Sequence, residues 1–375
     1  MNISYIQNMR FPTEKAHGYQ IAKTCEALAK AGAKVQLCVT DRSKNTIDPF
    51  EHYQVERVFD LLNFPVFDLV GKTPLFLNQA AFLIERWTFL RSIKKDLDKQ
   101  ADVYYTRDTW IAPKLKKITD KPVYLELHSM PSNSALKKLG AVDGILCVTK
   151  WMESEVKKQL PNMRTYFLPD SVDLAIFDPE LTRQQARKEL RIPEQTKIIV
   201  YGGRFSTMEK GKGLSQLDQA VAEIAKKIPD LACYMVGGTA QDFYKVESRE
   251  PSPTTQCLKS VDRPTLALYY RSADVLAMPF PNSHHYAYEM SPLKLFEYMA
   301  SGTPIVTSDL PSVREIVDEN SAYFFEAENS SALVQALTQA LGDAAGSASK
   351  ASDARQKVQA FTWANRAKQI LNFVS

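Results

Sequence analysis

The sequence has few cysteines and few histidines, and it has no long apolar run. Its five cysteines, at positions 25, 38, 147, 233 and 257, are scattered and form no C-x-x-C pair. This excludes a disulfide framework and a cysteine zinc site, and it indicates buried thiols in a reducing compartment. No apolar stretch approaches the roughly 20 residues that a membrane-spanning helix needs.

Several ligand-binding motifs are also missing. The sequence contains no Walker A loop and no dinucleotide-binding G-x-G-x-x-G. The only D-x-D, Asp96-Leu97-Asp98, stands in a charged helical stretch, so we interpret it as a solvated helix face and expect no metal site. No basic run is interleaved with aromatic residues, which argues against nucleic acid as a partner.

The chain length favours two domains. A chain of 375 residues can bury a large core and divides most naturally in two. Residues 1–7 predict a strand at the start of a fold, not a signal peptide, so we expect a cytoplasmic protein.

Positive charge is concentrated in the first half. Residues 1–170 contain 25 Lys and Arg against 19 Asp and Glu, a net +6, whereas residues 171–375 contain 22 against 24, a net −2. Two interpretations stay open. The lysines can be solvated helix faces, or they can attract an anionic membrane surface or a phosphorylated acceptor.

Strand and helix patterns alternate along both halves, which predicts parallel sheets covered by helices. Residues 60–90 fit this alternation least; we predict mostly core helix and loop there, with an interfacial membrane patch as the alternative. A small polar loop is expected at 347–352 and a final helix at 353–374. The predicted strands are 3–6, 34–40, 103–106, 123–127, 145–149, 166–168, 197–201, 232–236, 275–278 and 305–308.

The stretch 284–304 predicts a loop and a short helix, followed by the strand at 305–308. Ser291 suits the helix N-cap, Pro292 the first helical position, and Gly302 the position just past the end. The start of such a helix offers free N–H groups and partial positive charge to an anion. Glu289 and Glu297 would lie on either side, a layout that suits the two ends of a nucleotide diphosphate-sugar.

A second stretch suits a phosphate group. Gly203-Arg204 follows a predicted strand, and Lys210-Gly211-Lys212-Gly213 comes shortly after it. Glycines let the backbone turn closely around a ligand, and Arg and Lys neutralise phosphate charge. Lys212 is the preferred lysine, with Lys210 as the competitor.

Together, the E-x7-E spacing, the run SPLKLFEYMASGTPIV at 291–306 and the Gly-Arg…Lys-Gly pair resemble the retaining family 4 glycosyltransferases, the glycosyl transferases group 1. The resemblance implies an α/β protein of the GT-B fold, two Rossmann-like domains with parallel sheets facing a central cleft. It implies an acceptor-side domain at 1–169, a donor domain at 180–352, and a helix at 353–375 that packs back toward the first domain. It also implies a metal-independent enzyme whose co-substrate is a nucleotide diphosphate-sugar, with no further cofactor.

The resemblance also assigns site residues. His128, just after a predicted strand, would face the donor sugar, and a lone Gly18 beside His17 replaces the family's glycine pair near the acceptor. The implied catalytic residues are Glu289, His128, Arg204 and Lys212, and the implied donor-binding residues are Gly203, Arg204, Lys212, Gly237, Glu289, Met290, Ser291, Leu293 and Glu297.

The expected reaction is sugar transfer in polysaccharide or glycolipid assembly. The acceptor is a sugar, either free or lipid-linked. Peripheral contact with the inner face of an anionic membrane would fit the basic first half. The alternatives are a sugar-nucleotide epimerase of similar fold, which would need more acid and base groups than five histidines suggest, and a non-catalytic nucleotide-sugar-binding subunit.

Overall fold

The computed structural model describes residues 1–41, 47–68, 78–95, 101–178, 180–207 and 210–375. Asp96 and Asp98 of the D-x-D lie outside this part of the chain. The protein divides into two units, Met1–Pro169 with Trp363–Ser375, and Asp170–Thr362. The chain therefore returns to the first unit at Trp363, later than the 353 predicted from the sequence.

The first unit is built on a seven-stranded parallel sheet. The strand order is β3-β2-β1-β4-β5-β6-β7, so the order reverses between β1 and β4, with Ile6 paired to both Cys38 and Thr106. Its strands are β1 (Asn2–Gln7), β2 (Lys34–Asp41), β3 (Asp60–Pro65), β4 (Val103–Thr106), β5 (Val123–Leu127), β6 (Gly144–Cys147) and β7 (Thr165–Phe167).

Helices cover both faces of this sheet. Ile6 and Leu125 face a core that includes Phe89 and Met152, whereas the C-terminal helix packs on the first helix of the chain. The helices of this unit are α1 (Ala16–Lys30), α2 (Pro49–Tyr53), α3 (Asn78–Lys95), α4 (Ala112–Leu115), α5 (Asn133–Leu139), α6 (Lys150–Gln159) and, at the end of the chain, α16 (Trp363–Val374).

Strand β3 corrects the prediction of helix and loop over 60–90. It pairs with β2 at the edge of the sheet and ends at Pro65, and of its side chains only Phe64 is buried. Proline and a lack of alternation are tolerated at an edge strand because it hydrogen-bonds on one side only. For these reasons the residue pattern did not predict this strand.

The second unit repeats the architecture with a six-stranded parallel sheet. Its order is β12-β11-β8-β13-β14-β15, so the order reverses between β8 and β13, where Val200 pairs with both Tyr234 and Leu276. Its strands are β8 (Lys197–Gly202), β11 (Leu231–Val236), β12 (Thr255–Leu258), β13 (Val275–Met278), β14 (Ile305–Ser308) and β15 (Tyr323–Phe325), with a separate antiparallel pair, β9 (Ser206–Thr207) and β10 (Lys210–Gly211).

Both faces of the second sheet are buried. Ile198 and Val200 pack on one helical layer, and Ile199 and Tyr201 pack on the other, as the two-residue repeat of a strand requires. The helices of this unit are α7 (Leu174–Phe177), α8 (Arg183–Leu190), α9 (Leu214–Ala225), α10 (Ala240–Glu247), α11 (Arg263–Ser272), α12 (Leu293–Ser301), α13 (Pro311–Arg314), α14 (Ser330–Gly342) and α15 (Ala344–Lys357), with a π-helical turn at His285–Glu289.

The polar loop predicted at 347–352 is wrong, because these residues lie within α15. Asp343 caps this helix by accepting a hydrogen bond from the Gly346 N–H, and the Ser347 hydroxyl donates to the Ala340 carbonyl. The predicted helix 353–374 is likewise divided. It is interrupted before Trp363, where Thr362 pairs with Val172 in an isolated β-bridge.

Candidate active site

Two glycine turns meet at the carboxyl ends of β8 and β11. Gly203 has φ +117° and its N–H donates to the Val236 carbonyl at 2.7 Å. Gly237 has φ +135°, and a Cβ there would lie 2.4 Å from the Gly203 carbonyl oxygen. Only glycine allows both backbones to come this close. The turns lie beside the point where the strand order reverses, which is where open parallel sheets bind ligands.

Two of the predicted phosphate ligands flank these turns. Arg204 is exposed, and the β9–β10 pair leads from it to Lys212. Burial and the Arg204 charge lower the pKa of Lys212 to about 8. A lysine that is buried beside another cation favours an anion in the space they share. Lys210 begins β10, and its side chain lies outside the described part of the chain.

The loop and helix at 284–304 form as predicted, with one correction at the helix start. The helix α12 begins at Leu293 with extended Pro292 as its N-cap, and Gly302 ends it at φ +64°. Ser291 does not cap the helix, because its hydroxyl accepts the Asp170 N–H at 2.8 Å instead. No side chain among the described residues caps the first turn, so its N–H groups suit an anion.

Glu289 ends the π-helical turn just before buried Met290. Its carboxylate lies 3.6 Å from His284 Nε2 and 3.6 Å from His285 Nδ1, and its side chain is 12% exposed. Along the chain, Met290, Ser291 and Pro292 separate Glu289 from the start of α12. Short π-helical segments are frequent at functional sites.

Glu297 is buried within α12 and already has partners in its own unit. Arg263 NH1 donates to Glu297 Oε1 at 2.6 Å, and the Tyr270 hydroxyl lies 3.4 Å from Oε2. Sequence reasoning missed Arg263, which stands in no motif that the sequence analysis singled out. A ribose hydroxyl would therefore have to share this carboxylate with Arg263.

In the first unit, His128 follows β5 and is held by a buried glutamate. His128 Nε2 lies 2.5 Å from Glu126 Oε1, which also accepts from Gln20 at 2.7 Å and pairs with Arg366 of α16 at 2.9 Å. The Tyr105 hydroxyl donates to the other oxygen at 2.5 Å. Burial alone would raise the pKa of Glu126, but Arg366 and His128 hold it well below its usual range. The site therefore keeps a buried, ionised carboxylate.

This arrangement determines the tautomer of His128. Burial and the nearby Arg107 charge lower the pKa of His128 to about 4, so the ring is neutral near pH 7. Because the Glu126 carboxylate can only accept, the ring proton is on Nε2. Nδ1 is then a hydrogen-bond acceptor, which suits a hydroxyl group.

His17 and Gly18 lie in the first turn of α1. A Cβ at Gly18 would meet the Tyr53 hydroxyl at 2.1 Å and Thr13 Cγ2 at 2.7 Å, which by itself explains a glycine at this position. Burial and the charges of Arg107 and Lys15 lower the pKa of His17 to about 4. The same arginine thus disfavours protonation of both His17 and His128.

Known glycosyltransferases are similar to the chain in sequence. A D-inositol 3-phosphate glycosyltransferase of Corynebacterium aurimucosum is 25% identical over 94% of this chain and 89% of its own length. A phosphatidyl-myo-inositol mannosyltransferase of Mycolicibacterium smegmatis is 27% identical over 54% of this chain. That match covers 50% of the relative, so this chain spans about half of its length. The family profile described as glycosyl transferases group 1 matches residues 182–358. The chain is thus similar to group 1 glycosyltransferases, and the family profile covers the second unit from 182 to 358.

Solved structures confirm the predicted fold. The sucrose-phosphate synthase of Thermosynechococcus elongatus superposes with a TM-score of 0.79 at 21% identity, covering 99% of this chain and 97% of the other. The Anabaena HepE protein in complex with UDP-glucose superposes with a TM-score of 0.70 at 15% identity, covering 99% and 98%. The family match does not favour the epimerase or the non-catalytic subunit.

Asp274, directly before β13, has a structural function in the second unit. Asp274 accepts the Ile198 N–H at 2.7 Å and pairs with Arg187 at 2.8 Å and Arg183 at 2.7 Å. These contacts fix the start of β13 beside β8. In the described part of the chain, no group of three or more His, Cys, Asp or Glu side chains is arranged to hold a metal ion.

The two half-buried histidines, His17 and His128, predict how the stability of the protein depends on pH. Their folded pKa values of about 4 lie below the unfolded value of about 6.5, so the unfolded chain binds more protons in between. Their contribution is complete above about pH 6.5 and is lost as the pH falls toward 4. We expect the melting temperature to drop over this range, and to drop less in His17→Gln. The control His52→Gln, at an exposed histidine, should follow the wild type; an unchanged slope in His17→Gln would contradict the assignment.

Proposed function

We propose that this enzyme transfers a sugar from a nucleotide diphosphate-sugar to an acceptor hydroxyl with retention of anomeric configuration and without a metal ion. One observation carries the proposal. Arg204, Lys212 and the uncapped start of α12 place positive charge at the carboxyl edge of the second sheet. The fold neighbour HepE is described with UDP-glucose, which supports a nucleotide-sugar as the donor.

The chemistry assigned to these residues follows from charge. The bond between the sugar anomeric carbon and the diphosphate oxygen breaks, and the acceptor oxygen bonds to that carbon. Arg204 and Lys212 stabilise the negative charge that builds on the departing diphosphate. The acceptor proton passes to an oxygen of that diphosphate. Glu289 holds hydroxyls of the sugar as positive charge develops on its ring, and the role expected of His128 from the sequence stays a prediction.

Nucleotide-sugar screening tests the proposed function. UDP-, GDP- and ADP-sugars are added to the full chain, and a ligand at 100 times its Kd should stabilise the fold by roughly 2.7 kcal/mol. The stabilising donor is then incubated with candidate acceptors, and the anomeric configuration of the product is determined. Conversion of the donor sugar without an acceptor would indicate an epimerase instead, and stabilisation without any turnover would indicate a binding subunit.

Within this function, Glu297 is assigned to the ribose hydroxyls. Hydrogen bonds to a charged group are worth roughly 1.5–3 kcal/mol, so Glu297→Ala should raise the calorimetric Kd of the stabilising nucleoside diphosphate about tenfold or more. Glu319→Ala, at an exposed glutamate of the same unit, is the control and should bind normally. Unchanged affinity in folded Glu297→Ala would leave the carboxylate as a partner of Arg263 alone.

The acceptor is proposed to be anionic, in polysaccharide or glycolipid assembly. The two relatives above are named for phosphorylated inositol acceptors, one of them a lipid. The basic excess of the first unit supports this, although several of its lysines are paired, Lys116 with Asp143 at 2.8 Å and Lys157 with Glu153 at 2.7 Å. These pairs favour solvated helix faces for part of the excess.

Helix α3 is the proposed contact with an anionic membrane surface. Leu83 and Trp87 are 52% and 55% exposed, and Arg86 and Arg91 lie over aromatic rings of the same helix. Apolar side chains interleaved with arginines suit the boundary between lipid headgroups and acyl chains. None of the described helices has the length and apolarity to cross a bilayer.

We therefore expect the protein to co-sediment with acidic liposomes and to dissociate as salt rises, because surface charges are screened over about 10 Å at 0.1 M. Trp87→Ser should weaken binding severalfold, whereas Tyr244→Ser, at an equally exposed aromatic residue of the second unit, should not. No binding to acidic liposomes at low salt would leave a soluble acceptor as the better proposal.

A further inference from the structure

Lys294, in the first turn of α12, is a buried amine that neither the expected site nor the proposed reaction uses. Its Nζ is shielded from solvent and has no hydrogen-bond partner among the described residues. It lies 3.7 Å from the centroid of the Tyr201 ring and 5.1 Å from that of Phe280. A buried ammonium without an anionic partner costs stability, so its presence requires an explanation.

The amine lies directly behind the Gly203 turn. A Cβ built on Gly203 would be 3.2 Å from Lys294 Nζ and 3.3 Å from its Cε. Because Gly203 has no side chain, the ammonium group of Lys294 has room beside the turn that precedes Arg204. The backbone of Lys294 lies in the first turn of α12, which no described side chain caps. The amine and the helix N–H groups therefore lie in the same corner of the second unit.

The charges around the amine are mostly of its own sign. Burial, and then the charge of Lys212, lower the pKa of Lys294, and only Glu297 acts in the opposite direction. Glu297 is already paired with Arg263 at 2.6 Å. Among the described residues, Arg204, Lys212 and Lys294 form no ion pair with a carboxylate, and their combined positive charge is the electrostatic setting of an anion site.

We propose that Lys294 is a third cationic ligand of the donor diphosphate, binding it from behind the Gly203 turn while Arg204 and Lys212 bind it from the exposed side. This inference rests on the proposed function, since the diphosphate is the anion that function supplies. Lysine suits the position because a compact ammonium on a flexible stem can rise from between two aromatic rings toward an incoming phosphate.

Lys294→Met tests the proposal, with inorganic pyrophosphate and UDP or GDP as probes for calorimetry on the full chain. Methionine keeps most of the volume and removes the buried charge, so the ligand-free variant should melt at the same temperature as the wild type or higher. Its pyrophosphate affinity should fall roughly tenfold or more, as expected for one lost hydrogen bond between charged groups. Lys245→Met, at an exposed lysine of the same unit, is the control and should bind normally.

The outcomes separate this inference from the proposed function. Wild-type affinity for pyrophosphate and nucleoside diphosphate in Lys294→Met would overturn the inference, even if the enzyme transfers sugar. Weakened pyrophosphate binding in a protein that transfers no sugar would support the anion site and contradict the function. A wild-type protein that binds none of the probes would overturn both.

Discussion

Lys212→Ala is expected to lower kcat by roughly 10²-fold or more while the fold stays intact, the size of effect seen when one donor to a developing negative charge is removed. The loss follows from the position of this lysine, which is half-buried near Arg204 after the β9–β10 pair. Lys245→Ala is the exposed control in the same unit and should keep native turnover.

The pH profile makes this prediction sharper. With a pKa of about 8, Lys212 loses its proton in the free enzyme as the pH rises through that value, so kcat/KM should decline above about pH 8. Arg204→Met removes a positive charge that disfavours protonated Lys212. It should therefore move the decline in kcat/KM to higher pH, in addition to lowering turnover. The prediction fails if the decline in kcat/KM stays at the same pH or if Lys212→Ala keeps near-native kcat.

Activity should also survive EDTA; activity that returns only with added Mg²⁺ or Mn²⁺ would contradict metal-free catalysis.

Glu289→Gln is expected to lower kcat steeply and to leave the affinity for the nucleoside diphosphate unchanged. This carboxylate belongs to the π-helical turn before α12, and the proposed function assigns it to the sugar, so its loss should affect the sugar and not the nucleotide. A carboxylate that stabilises positive charge on the sugar ring acts most strongly in the transition state, which is why kcat should change.

The control for Glu289 addresses its two histidine neighbours. His284→Gln removes one 3.6 Å contact of the carboxylate at a side chain that is 63% exposed, and it should leave kcat near native. If Glu289 only braces the loop, Glu289→Gln would lower the melting temperature and change kcat little. Measuring melting temperature, nucleotide Kd and kcat on each variant distinguishes the two, and a near-native kcat would remove Glu289 from the mechanism.

The sequence by itself determined the parallel α/β architecture and the local structure of the two stretches that are proposed to bind an anion. The strands at 103–106, 123–127, 275–278 and 305–308 were predicted to the residue, because buried parallel strands are short apolar runs bounded by polar turns. Gly302 at the end of α12 was predicted because a left-handed residue there favours glycine. Such features depend on neighbours along the chain.

Only the tertiary structure decided how residues far apart in the chain combine. The hydroxyl of Ser291 could have capped α12, but the Asp170 N–H, over a hundred residues away, takes it instead. In the same way Arg263 pairs with Glu297, and Arg366 pairs with the glutamate that sets the His128 tautomer. Local patterns do not encode these choices, because each depends on which groups the fold buries together. The exposure of Lys294 was equally open in the sequence, since a lysine near a helix start usually lies in water, and here two aromatic rings and a glycine turn enclose its amine.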